Sequence, residues 1–192
     1  MAEAHAQLTG RPAACLATRA VGAANLAIGI HTATADSSPM FALVGQVART
    51  SRGREGFQEA DLVRTIGGLA KWAAEPTDAA GAVAAVETAV IEATTGRPGP
   101  VLLALAEDLL DEILPDGVAA PAPRSAPPRA TEAQVGAVLH LLASAERPVI
   151  VAGGGILRAR TSNDLVRLAE LLRVPVVAAW RRGDVISNDH PL

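Results

Sequence analysis

The chain has 192 residues, 49% of them apolar and 19% charged, which is enough apolar material for a buried core. A net charge of −3 and an isoelectric point near 5.8 provide no basic field for nucleic acid. No apolar run reaches the ~20 residues of a spanning helix, and no basic region followed by an apolar stretch marks a secretory signal. Aromatic residues are scarce, at 2% with no Tyr, so Ala, Val and Leu carry the packing. The lone Cys15 has no internal disulfide partner and reads as a small core residue, which fits a reducing cytoplasm.

In chain order, segments with helical and strand patterns alternate, which predicts an α/β fold on a largely parallel sheet. Met1 to Leu8 reads as a helix closed by Gly10 and Pro12, and Ala13 to Ala17 as a short buried strand. Gly22 to Ala35 is Ala-rich and helical, ended by Asp36-Ser37-Ser38-Pro39, and Met40 to Val44 is the next strand. A polar, arginine-bearing loop spans Arg49 to Gly56, and Phe57 to Ile66 then reads as a helix. Lys71 to Ala74 is a short strand, Asp78 caps a helix to Thr94, and Val101 to Leu105 is a further strand. Residues 118–130, with Pro121, Pro123, Pro127 and Pro128, read as a semi-rigid linker between a first domain (1–117) and a second (131–192). In the second, Thr131 caps a helix to Ala145 and Pro148 to Ala152 is a strand. Gly153-Gly154-Gly155 is a tight turn, Asn163 to Leu172 a helix and Pro175 to Ala179 a strand. A two-stranded parallel unit cannot bury both of its faces, so the chain is expected to be part of a larger protein.

Several segments resemble, in order and spacing, the thiamine-diphosphate-dependent enzymes of acetolactate synthase type. They are Thr9-Gly10-Arg11-Pro12, Asp36-Ser37-Ser38-Pro39-Met40, Gly45-Gln46-Val47, Phe57-Gln58-Glu59, Ala70-Lys71-Trp72 and Gly96-Arg97-Pro98-Gly99-Pro100-Val101. The resemblance implies a parallel-sheet pyrimidine-binding domain lacking its start, followed by the beginning of a Rossmann-like central domain. Ala20-Val21-Gly22-Ala23-Ala24-Asn25-Leu26 occupies the place of the family's GPGATNL beside the aminopyrimidine. It keeps Gly22, Asn25 and Leu26 but puts Ala20 and Val21 where Gly and Pro usually stand. Gly22 and Asn25 are thereby implied as cofactor-side residues. The Phe57-Gln58 pair is implied to face the substrate side, where an amide can hydrogen-bond a 2-keto acid without titrating. The residues by themselves favour Phe57 as core and Gln58 as the cap of the following helix, and only the resemblance reverses that preference. Lys71 reads as a surface charge and Gly96 to Pro100 as a structural turn. Leu105-Ala106-Glu107-Asp108 departs from the family's D-I/L-P-x-D.

The same resemblance implies thiamine diphosphate with Mg2+ in the intact enzyme, FAD in some branches, a 2-keto acid substrate and a homo-oligomer. It also marks what these residues lack. The proton-handling glutamate would fall upstream of Met1, and Gly183-Asp184 is followed by Val185 rather than a second glycine. The expectation is therefore a carboligase or decarboxylase segment without catalysis of its own and without a bound cofactor. The alternative is an interaction module that pairs with a full-length homologue. A nucleotide site on Gly153 to Gly155 carries little weight, because a lone Gly-rich turn is weak evidence. His5, His31, His140 and His190 show no metal-ligand spacing.

Overall fold

The structure, a computed structural model, describes residues 1–114, 117–118 and 129–192. It divides into two compact units, Met1–Ala126 and Pro127–Leu192. The expected linker at 118–130 lies mostly outside the described residues.

The first unit is a four-stranded parallel sheet with helices on both faces. Its strands are β1 (Ala13–Thr18), β2 (Met40–Gln46), β3 (Trp72–Ala74) and β4 (Pro100–Ala106), in the order β1-β2-β4-β3. The register places Leu16 beside Leu43 and Leu43 beside Leu103. Its helices are α1 (Ala2–Thr9), α2 (Arg19–Asp36), the single-turn α3 (Leu62–Thr65) and α4 (Ala79–Thr94). On one face Ala42, Val44, Leu102 and Ala104 meet Ala23, Ile30 and Ala33 of α2. On the other, Val101 and Leu103 meet Ala89 and Ala93 of α4, with Phe41, Leu43 and Trp72 alongside. Such small helix residues let the backbone lie close to the sheet, which is how a chain nearly without aromatics reaches a dense core.

The helices end where the sequence supplies the chemistry. Gly10 takes the left-handed conformation (φ 69°) and its N–H donates to Ala6 at 2.8 Å, closing α1. The Asp78 carboxylate accepts from the Gly81 N–H at 2.7 Å, opening α4. Two cations reach carbonyls at helix C-termini. Arg97 donates to the Thr34 and Ala35 carbonyls of α2, and Lys71 to the Glu92 and Thr95 carbonyls at the end of α4. Lys71, expected to be a solvated charge, is thus engaged in holding a helix end.

The second unit pairs β5 (Ile150–Ala152) with β6 (Val176–Ala178) in parallel. Around them are α5 (Glu132–Ser144), α6 (Gly154–Ala159) and α7 (Ser162–Leu172). Thr131 and Gln134 form a reciprocal capping box that starts α5. Ala152, Leu165 and Val185 form a small core, with Ile150 and Val176 packed against it. No residue of α5 is buried.

Three expectations need correction. Phe57 to Ile66 is not one helix. Gln58 lies in the left-handed region (φ 60°), and the helix starts only after Asp61, whose carboxylate accepts from the Arg64 N–H. Gly153 to Gly155 is not a free turn but the beginning of α6, with Gly153 as its N-cap. β1 is not fully buried either. It is an edge strand with alternating exposure, Cys15 is half-buried, and Leu16 remains 77% exposed because α4 covers only the far half of that face. The α/β class with a parallel sheet in each unit is as the sequence leads one to expect.

Candidate functional site

In an open parallel sheet, ligands lie beyond the carboxyl ends of the strands, where the connections part. At that edge of the first unit stand Arg19 after β1, Gln46 to Arg49 at the end of β2, and Glu107 with Asp108 after β4. The Phe57-Gln58 loop belongs to the same edge. The Ala20 N–H donates to the Gln58 carbonyl at 3.4 Å, and Arg19 Nη1 donates to the Phe57 carbonyl at 3.1 Å. The fold therefore sets the expected substrate-side pair against the first turn of the helix that carries the expected cofactor-side residues.

The four residues differ in what they offer. Phe57 is 77% exposed and so is not core, while Gln58 is half-buried and leaves the cap of α3 to Asp61. Asn25 is exposed on α2, one and a half turns beyond Ala20. Gly22 is needed for packing, since a Cβ there would sit 2.8 Å from the Cβ of Ala17. Its missing side chain lets α2 close against the end of β1. The carboxamides of Asn25 and Gln58 can donate and accept hydrogen bonds at any working pH. That donor set fits an aminopyrimidine or a keto acid. It does not fit a metal: among the described residues no group of three or more His, Cys, Asp or Glu could hold one.

Around this edge the chain builds a network that reading the sequence left unnoticed. Arg49 donates from Nε to Asp108 Oδ2 at 2.9 Å, pairs through Nη2 with Glu112 at 2.6 Å, and reaches the Thr77 carbonyl. Glu112 also accepts from the Ala79 N–H, so it serves the N-terminus of α4 as well. The hydrogen bonds that Arg49 donates to Glu112 and Asp108 raise its pKa further. The Arg49 backbone N–H, aided by its guanidinium, holds the Asp108 carboxyl below its ordinary value. Glu59 accepts from the N–H groups of Gly53 and Gly56, which lowers its pKa and folds the 53–56 loop around it. Arg52 pairs with Glu59 and Glu75 and donates to the Ala60 carbonyl. Gln46, buried, donates to that same carbonyl at 2.8 Å and accepts from the Val47 N–H. The one signal for this network in the sequence was the placing of Glu107-Asp108 just beyond the last strand, with arginines just beyond the first two.

In the second unit the space over the Gly154 backbone is taken by a side chain of the same unit, while Gly155 faces open space. A Cβ on Gly154 would meet Arg182 Nε at 2.9 Å. No helix of the described residues is long and apolar enough to cross a membrane.

Comparison with known proteins sets these observations in a family. Residues 1–65 match the thiamine pyrophosphate enzyme N-terminal TPP binding domain, and residues 135–192 match the thiamine pyrophosphate enzyme central domain. The chain is 36% identical over 197 aligned residues to the probable acetolactate synthase large subunit of Methanocaldococcus jannaschii, covering 100% of this chain and 33% of that protein. It is 34% identical to the acetolactate synthase large subunit of Corynebacterium glutamicum, over 100% of this chain and 31% of that one. It is also 34% identical to the chloroplastic acetolactate synthase of Arabidopsis thaliana, over 92% and 27% respectively. The chain thus spans about a third of the length of the curated relatives it matches. With both domain types present in order and relatives of one kind along its whole length, the chain belongs to the thiamine pyrophosphate enzymes.

Proposed function

We propose that these residues form the pyrimidine-side and substrate-side surface of an acetolactate-synthase-type enzyme acting on a 2-keto acid. One observation carries this reading. The Gln58 loop is hydrogen-bonded to the start of α2 at the carboxyl edge of the parallel sheet, so Gln58 and the Gly22–Asn25 turn share one side of the molecule. In this reading Asn25 offers its amide to the aminopyrimidine and Gly22 brings the helix close enough to do so. Gln58 binds the keto acid or its carboxylate, and Phe57 walls the cleft. Thiamine diphosphate, held through Mg2+ by another domain, supplies the carbanion-stabilising ylid. The 192 residues by themselves do not turn over a keto acid and bind no cofactor, FAD included; the complete enzyme is a homo-oligomer working in the cytoplasm.

The test is a chimera in which this chain replaces the matching segment of a full-length acetolactate synthase. Retained release of carbon dioxide from pyruvate, reduced about tenfold or more by Gln58→Ala, supports the reading. Full activity in the Gln58→Ala chimera overturns the role of Gln58. Calorimetry of the pure chain with thiamine diphosphate and Mg2+ is expected to be silent, and saturable heat overturns that part.

A second reading, an interaction module pairing with a full-length homologue, is favoured by the apolar surface. Leu16 on β1 is 77% exposed, and α5 leaves Val135, Val138, Leu139 and Leu141 exposed together. Co-purification with a complete homologue supports it, and a monodisperse, soluble monomer speaks against it.

A further inference from the structure

The first turn of α2 and the Phe57-Gln58 loop are both held in backbone conformations that their residues disfavour. Arg19 has φ 53° and Gln58 has φ 60°, and neither is glycine. Each is unfavourable for a residue with a Cβ and persists only where the surroundings over-determine it. One side chain supplies that determination at both places. The Arg19 guanidinium donates through Nη1 to the Phe57 carbonyl at 3.1 Å and through Nη2 to Glu107 Oε2 at 2.8 Å. Its own backbone leads directly into the Ala20 N–H that donates to Gln58. A planar fork with donors fixed in two directions can do this with less loss of side-chain freedom than a lysine ammonium on its flexible stem.

We propose that Arg19 is a positioning residue for the Phe57-Gln58 loop, clamped from the far side by Glu107 at the end of β4. The proposal rests on reading that loop as the substrate side. This contact joins the residue just before Ala20-Val21 to Glu107 of Leu105-Ala106-Glu107-Asp108, two places where the chain departs from the family pattern. A turn that has neither the glycine nor the proline to set its shape is shaped by a side-chain clamp instead. Arg19 therefore acts through Gln58 and Phe57 and needs no contact with the substrate. An exposed ion pair by itself contributes little. The work lies in directing the fork of Arg19, a side chain only 25% exposed, onto a loop carbonyl.

The chain contains two phenylalanines, Phe41 in the sheet and Phe57 in the loop, so fluorophenylalanine labelling yields two resonances that Phe57→Leu assigns. In the ligand-free 192-residue protein, Arg19→Ser is expected to move the Phe57 resonance towards the position of free fluorophenylalanine. The hydrogen-exchange protection of the Ala20 amide should fall about tenfold while the Phe41 resonance stays in place. Arg19→Lys should restore part of the shift. An unmoved Phe57 resonance with an unmoved Phe41 resonance overturns the clamp. Should Arg19→Ser also collapse the Phe41 resonance, Glu107→Gln, which leaves the fork in place, decides. A smaller Phe57 shift in the same direction supports the proposal, and none overturns it. Because nothing is bound in this experiment, its failure is separate from a failure of the substrate-side reading, which the Gln58→Ala chimera tests.

Discussion

Single residues at the carboxyl edge of the first sheet show how closely space and charge are used. Gly22→Ala would drive a methyl group to 2.8 Å from Ala17 Cβ, closer than real carbon contacts. The expected cost is about 1–3 kcal/mol, read as a lower thermal midpoint of the first unit. Asp108 and Glu59 titrate below their ordinary values of 3.8 and 4.5 in the folded state. Their contribution to stability is complete above those ordinary values and is lost as pH falls through the lower, folded ones. Urea midpoints should therefore hold from neutrality down to about pH 5 and fall below it, and Asp108→Asn with Glu59→Gln should flatten that fall. At this scale the sequence was informative about type more than partner. Phe57 and Gln58 stood out by their resemblance, but only folding showed that Phe57 is exposed and that Gln58 does not cap α3. Arg19, Arg49 and Glu112 were illegible because their partners lie 38 to 88, 59 and 33 residues away, beyond any local pattern.

Elements were largely legible because their signals are local. Asp78, Thr131, Gly10 and Ser37 mark helix boundaries through hydrogen bonds that span three or four residues, and the chain folds accordingly. Asp78→Ala should cost the first unit about 1 kcal/mol in urea unfolding, since the cap from Asp78 to Gly81 is lost while Glu112 still accepts from Ala79. The segment from Phe57 to Ile66 was read too long because its helix-compatible composition competes with contacts from outside. Glu59 folds back on Gly53 and Gly56, and Ala20 and Arg19 take the carbonyls of Gln58 and Phe57. The opposite error occurred at Gly153, where three glycines read as a turn yet two of them begin α6. Thr161 N–H and Arg160 N–H close that short helix onto the Ile156 and Leu157 carbonyls.

Across the whole molecule, the central strand β4 is the part that burial holds most firmly. Leu102, fully buried between β2 and β3, should cost about 2–5 kcal/mol when cut to Ala, measured as a loss of unfolding free energy in the first unit. The edge strand behaves differently. Leu16→Lys should leave that unfolding free energy within about 0.5 kcal/mol of the parent while abolishing co-purification with a full-length homologue, if the interaction reading holds. Retained co-purification would place the partner elsewhere. The sequence by itself determined the α/β class, the order of elements and the family resemblance, because periodicity, caps and contiguous motifs are written in neighbouring residues. Tertiary structure alone decided that β4 lies inside β3 and that one face of β1 stays open. It alone brought a guanidinium next to β1 onto a loop about forty residues away. Those outcomes depend on which surfaces meet, and that is settled by packing between segments far apart in the chain.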